Sequence, residues 1–399
     1  MSDLTALGLV LVLLYASECL VVVRRGGVVF RLPWFFGGAS AAPPSKALGN
    51  NNVGLVLLNP LPPFGRVYVT EPWPFVCDGD DVVAAQAASL WQDGKPQQSG
   101  RRLAFTAIKS VRAIDKDVLV NGEDFVRCTS AAHARAMVHV LTTLSTTPAT
   151  ERSAMIDTLL RASFDVDVVT ARVDGHRRKG LPLVIATTAC FAAFFVIAPL
   201  MVKLEGLERW YLWLGLIYTW VLVSAALAFF AHRALQPAVR GERWMQLLLS
   251  IPAPTVALRG NDKLGRFLLA GIHPVAAAVR LMRADTRQQV VGAMLRDLRH
   301  PRLPTLPVAD GVSSAVEGSF RERVSTIAER IAGENGVDVV VAFTAKGRTP
   351  LYCPRCHESY TKGSGCADCG GLPLVTRATV PTTSATTTST PKTAATTKG

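Results

Sequence analysis

The sequence predicts an α-helical membrane protein with three spans, a cytoplasmic α+β domain, a basic helical region and a small four-cysteine module. Three observations predict it. Three apolar runs reach the roughly 20 residues that a bilayer-crossing helix needs. Between the first and second runs lie short apolar bursts punctuated by Gly, Pro, Asn and Asp, the pattern of strands and turns. Near the C-terminal end, four cysteines gather in two CxxC pairs. The chain has 399 residues, 49% of them hydrophobic, enough for two or three domains.

The apolar runs are Leu4 to Val23, Leu181 to Val202 and Trp210 to Ala231. Only "KLEGLER" separates the second from the third, so these two form a helical hairpin. Trp210, Tyr211 and Trp213 open the third run, where amphipathic rings favour the interface. Pro199, near the end of the second, is tolerated in a membrane helix. Basic residues flank one end of each run: Arg24, Arg25 and Arg31; Arg177, Arg178 and Lys179; Arg233 and Arg240. By the positive-inside rule the N-terminus faces out, and residues 24–180 and the C-terminal region face the cytoplasm. The expected location is the cell inner membrane, multi-pass. The first run has an acidic leader, Asp3, and no small-residue cleavage site, so it reads as a retained anchor. Glu18 within it reads as a carboxylate reaching back to Arg24 or Arg25.

These segments divide the chain into an anchor (1–23), the α+β domain (24–180), the hairpin (181–231), a basic helical region (232–345), the cysteine module (346–375) and a Thr-rich tail (376–399) expected to be disordered. In the α+β domain, "VGLVLL", "RVYVT", "RLAFTAI" and "KDVLV" read as strands. Asn121-Gly122 suits a type I′ turn joining two of them. Ser130 reads as an N-cap ahead of Ala134, Met137, Val138, Leu141 and Leu144 at helical spacing. A second helix begins at Pro148, with Met155, Ile156, Leu159 and Leu160 on one face. Several strands capped by an amphipathic helix across residues 50–145 resemble a pleckstrin-homology-like domain; an ordinary α+β domain fits the same pattern.

The formal net charge is +13, and its excess is concentrated after the hairpin. Residues 24–180 carry 19 basic and 14 acidic groups, whereas 232–399 carry 22 and 12. Membrane lipid is one partner for such a tail and nucleic acid another, although positive-inside topology alone produces much of the excess. Val290, Val291, Met294, Leu295 and Leu298 line one face of a helix flanked by Arg287, Arg296 and Arg299. That helix either lies on the inner leaflet or packs on its own domain. Residues 320–331 read as a further helix, and "VDVVVAF" as a short buried segment.

No G-x-S-x-G, Walker A or GxGxxG sequence is present. Asp78, Asp80 and Asp81 in "CDGDD" can collect a cation, but Asp and Gly more often build turns. His133 and His139 are six apart and do not share a helix face. Cys353-Pro-Arg-Cys356 and Cys366-Ala-Asp-Cys369 are different. Each CxxC turn points two sulfurs at one centre, and two such turns supply the tetrahedral thiolate set that zinc accepts. Gly363, Gly365, Gly370 and Gly371 permit the tight backbone this needs.

Over about twenty residues, Leu351 to Gly371, the arrangement resembles a zinc ribbon. The resemblance implies structural Zn²⁺ held by Cys353, Cys356, Cys366 and Cys369; rubredoxin-like iron takes the same ligands with more aromatic neighbours. His357 stands where ribbon families often place Gly. A site closed by four thiolates holds structure and does not activate water. Cys19, Cys77, Cys128 and Cys190 lie apart from it and read as small apolar packing residues. As a whole the chain resembles bacterial membrane proteins of unknown function. The sequence therefore points to a membrane-held interaction or scaffold protein with a protein partner. A membrane enzyme with an unrecognised site and a nucleic-acid-binding ribbon are the rival classes, the latter without aromatic–basic interleaving.

Overall fold

The computed structural model describes Thr5, Gly8, Leu9 and Val12, four strands between 28 and 69, and residues 72–84, 101–128, 130–205, 210–235, 260–266, 268–300, 311–344, 351–354, 357–366 and 372–376, with four residues of 244–248. The first predicted span therefore lies outside the described residues, apart from four helical positions, as do Glu18 and the tail beyond Thr376.

The N-terminal half is strand-rich. Strands β1 (Val28–Arg31), β2 (Ala39–Ala41), β3 (Leu55–Asn59) and β4 (Gly65–Val69) form one sheet in the order β2-β1-β3-β4. Within it β1 and β3 are parallel and the other pairs antiparallel. Two antiparallel meanders follow: β5 (Phe75–Cys77), β6 (Asp81–Ala84) and β7 (Arg102–Ala104), then β8 (Val111–Ile114), β9 (Asp117–Val120) and β10 (Glu123–Arg127). The predicted Asn-Gly turn joins β9 to β10. Asn121 has φ 55° and Gly122 φ 87°, the left-handed pair that a type I′ turn requires. The Asn121 side chain also ties the neighbouring loop, accepting from the Lys109 and Ser110 amides and donating to the Ala107 carbonyl.

Helix α1 (Ala131–Thr146) starts where the sequence places it, with Ser130 Oγ accepting from the His133 amide at 3.1 Å. It buries Ala134, Met137, Leu141 and Leu144. Helix α2 (Ala149–Ser163) follows Pro148 and buries Ile156 and Leu160. Arg152 fixes the corner between the two helices. Though buried, it donates to the Leu144 and Thr147 carbonyls at the end of α1 and to the Gly79 carbonyl. A cation is favourable at a helix C-terminus because the free carbonyls there carry partial negative charge.

Next comes one continuous helix of 40 residues: α3 (Val166–Ala192), a π turn (Ala193–Ile197) and α4 (Ala198–Glu205). At 1.5 Å per residue it is about 60 Å long, twice the hydrocarbon thickness of a bilayer. Pro199 explains the π turn. Its ring clashes with the carbonyl four residues back, and a wider turn just ahead relieves the clash. Helix α5 (Trp210–Leu235) returns alongside. Two helices are thus long and apolar enough to cross a membrane, within Ala149–Glu205 and Leu214–Leu235. They meet through small residues, Cys190, Ala193 and Ala198 against Ile217 and Val221, and Leu183 against Ala228 and Ala231. Their outer faces stay apolar and uncovered; Val196 and Phe230 are each 61% exposed.

Beyond the hairpin the chain rejoins the first half. Helices α6 (Gly260–Gly265), α7 (Pro274–Leu281), α8 (Ala284–Arg299), α9 (Gly311–Glu334) and α10 (Val339–Phe343) follow in order. The Tyr68 amide donates to the Arg266 carbonyl at 2.9 Å, and the His273 amide to the Ser163 carbonyl at 2.8 Å. Trp73 lies 5.6 Å from the Phe320 ring, and Arg323 pairs with Asp157 at 2.9 Å. One hydrophobic core runs from Val69 to Ala342. Residues before and after the hairpin therefore share a single folded body on one side of it.

The amphipathic helix 284–299 resolves towards packing on its own domain. Val290, Val291, Met294, Leu295 and Leu298 are buried in that core. Two of the flanking arginines tie down backbone: Arg287 donates to the Asn335 and Met282 carbonyls, and Arg296 to the Ala342 carbonyl. Arg299 pairs with both oxygens of Glu329. The "VDVVVAF" segment corrects the expectation of burial. It forms a short helix capped by Asp338, with Ala342 buried but Val340 75% exposed. Pro274 begins α7 at its first turn, where a missing N–H costs nothing.

Candidate metal centre

The cysteine module is built from two small hairpins. Strands β11 (Leu351–Tyr352) and β12 (Ser359–Tyr360) pair antiparallel, and β15 (Val375–Thr376) adds to the other edge of β11. Strands β13 (Gly365–Cys366) and β14 (Leu372–Pro373) form the second hairpin. Each predicted CxxC pair begins where one hairpin's first strand ends. Cys353 directly follows β11, and Cys366 is the last residue of β13.

The turn after Cys353 is closed by two backbone bonds. The Cys353 amide donates to the Glu358 carbonyl at 3.0 Å, and the His357 amide to the Cys353 carbonyl at 2.9 Å. His357 takes φ 60°, the left-handed region. A Gly there would be free of the Cβ penalty. The His357 ring instead meets Tyr352 edge-on, with centroids 5.9 Å apart. In the link to the second hairpin, Gly363 adopts φ 126°, while Gly365 is an ordinary strand residue paired with Pro373.

Cys353 and Cys366 are both fully buried, though they belong to different hairpins, and they share one small cluster with Tyr360, Leu372 and Leu374. Among the described residues neither forms a disulfide. The Tyr360 hydroxyl donates to Cys366 Sγ at 3.1 Å. Cys356 and Cys369 lie outside the described residues. Among the described residues no group of three His, Cys, Asp or Glu gathers to hold a metal. The structure thus brings together one cysteine from each predicted pair and does not describe the other two. What it does describe is two cysteines from separate hairpins buried in one small cluster.

Other sequence candidates resolve as scaffold. Asp78 Oδ1 accepts from the Asp80 and Asp81 amides, each at 2.8 Å, forming an Asx turn between β5 and β6. Asp81 pairs with Arg102 at 3.0 Å. These carboxylates build a turn. His133 is buried, its Nε2 lies 2.6 Å from the Pro72 carbonyl, and burial lowers its pKa. Burial pushes the Cys128 thiol up to about 12 and raises that of Cys77 as well, so both are inert packing groups at neutral pH.

Sequence reasoning missed His273. It is fully buried and stacked on Phe164 at 4.1 Å, and its Nδ1 accepts from the Val275 amide at the start of α7. Burial lowers its pKa to about 3, which keeps the ring neutral and able to cap the helix. The cue was Pro274, which marks a helix start and makes the preceding residue its cap. No protein family, curated protein or solved structure matches the chain.

Proposed function

We infer that this chain is an integral membrane protein that holds a folded domain and a zinc ribbon against the cytoplasmic face of the inner membrane, where the ribbon stabilises a docking surface for a protein partner. The observation that carries this reading is the burial of Cys353 and Cys366, from two separate hairpins, in one cluster. Cys353, Cys356, Cys366 and Cys369 would hold the ion, which when bound supplies folding free energy and no reaction chemistry. Membrane insertion is supported by the uncovered apolar faces of the hairpin, because soluble monomers rarely expose contiguous apolar surface. The orientation is supported by charge. Arg177, Arg178, Lys179 and Arg233 are exposed at the end of the hairpin nearest the folded body, and positive residues are retained in the cytoplasm. A third span, Leu4 to Val23, completes the topology.

In-membrane cross-linking tests the function. Partner adducts formed by the wild-type chain should vanish in Cys366→Ser while the variant stays in the membrane fraction. Adducts that persist unchanged would remove the ribbon from partner binding. Reporter activity outside the cytoplasm from a fusion after Gly399 would reverse the orientation.

A further inference from the structure

We propose that the junction between the hairpin and the folded body is an anionic-phospholipid interface, with phosphates held by a ring of four cations and the acyl boundary entered by the segment 244–248. This rests on the membrane reading above and names the lipid class that the junction takes.

The first observation is a level ring of charge. Leu183 of α3 packs on Ala228 and Ala231 of α5, which fixes the height of one helix against the other. Lys179 is four residues below Leu183, about 6 Å, and Arg233 two residues beyond Ala231, about 3 Å. Both therefore sit at one level, just past the end of the apolar stretch. Arg177, Arg178 and Lys179 are consecutive, so at 100° per residue they cover about 200° of the helix circumference. All three are exposed, while His176 and Gly180 take the buried side. Among the described residues none of the four cations makes an ion pair. The nearest carboxylate on the same helix, Asp174, is half-buried one turn further from the bilayer. From Leu181 to Val202 the apolar stretch is 22 residues, about 33 Å, which matches a hydrocarbon core. The ring thus lies at phosphate depth.

The second observation is independent. After α5, Trp244, Met245, Leu247 and Leu248 are helical again. Trp244 packs on Phe229 of α5, with ring centroids 4.9 Å apart. Phe229 is one turn from Arg233, so the contact holds this segment beside the ring of charge. Trp244, Met245 and Leu248 are each at least 57% exposed, and their spacing of three and four places them on one helical face. An apolar face with a tryptophan, held at phosphate depth next to cations, matches a helix lying in the interface.

The test uses the full chain in nanodiscs of mixed phosphatidylglycerol and phosphatidylcholine, followed by extraction and analysis of the retained lipid. Phosphatidylglycerol should be enriched several-fold over the bulk ratio. The enrichment should fall in high salt, because the contact is charge to charge, and in the variant R177Q/R178Q/K179Q/R233Q. The salt arm uses the wild-type chain alone and so stands even if the variant fails to fold. In a second measurement, quenching of tryptophan fluorescence by lipid brominated near the headgroup should drop in Trp244→Phe. Bulk lipid ratios from a chain that resists carbonate extraction, or quenching unaltered by Trp244→Phe, would overturn this inference and leave the membrane reading standing. A chain released by carbonate would overturn both.

Discussion

His273 and His357 show how single residues carry consequences in opposite directions. His273 is neutral in the folded state down to about pH 3, whereas a free imidazole protonates near 6.5. As pH falls below 6.5, the unfolded chain takes up a proton that the folded chain refuses. Stability is therefore full above 6.5 and drains between 6.5 and about 3, at about 1.4 kcal/mol per pH unit for this one group. His273→Asn keeps a capping acceptor and removes the titration. Chemical denaturation as a function of pH should show a shallower acid slope in the variant; an unchanged slope would exclude His273 as a source of acid sensitivity. At His357 the left-handed backbone costs a side chain about 1 kcal/mol. His357→Gly should relieve that cost, so competitive titration should find zinc bound as tightly or up to about fivefold more tightly. Loss of zinc would instead make His357 a ligand.

At the scale of elements, the cysteine module is the part least able to stand alone. Its strands are two residues each, and Tyr360, Leu372 and Leu374 are the apolar groups that pack on its two buried cysteines. So small a core cannot offset chain entropy, whereas zinc binding at such sites supplies roughly 10–16 kcal/mol. Chelation should therefore abolish amide protection in 351–376 while α1 and α9 keep theirs, as hydrogen exchange would report. Protection that survives chelation would mean the ribbon folds without metal. These elements were unevenly legible in the sequence. Caps and turns were legible because their chemistry is local: Ser130, Pro148 and Asn121-Gly122 each require only a few neighbours. The short strands β5, β6 and β8 were not, because three or four residues show too little alternation to read. Val340 misled for the reverse reason: an apolar run carries no sign of which side is covered.

On the scale of the whole molecule, the informative fact is that the hairpin interrupts a single folded body. The sequence shows two polar regions separated by two apolar helices, and nothing local reveals that their cores merge, because Trp73 and Phe320 are 247 positions apart in the chain. Positive-inside charge predicts the same compartment for both, and the shared core places both on one side of the hairpin. A double-mutant cycle of Trp73→Ala and Phe320→Ala should give a coupling of about 0.5–1.5 kcal/mol; additive effects would mean that the two regions fold separately. We propose a membrane-held body that ends in a metal-built ribbon. Elemental analysis of the full chain, extracted from membranes in detergent under reducing conditions, tests it most directly. One zinc per chain is expected, lost in Cys353→Ser and Cys366→Ser. A folded chain with no zinc and all four ribbon thiols freely titratable would contradict it.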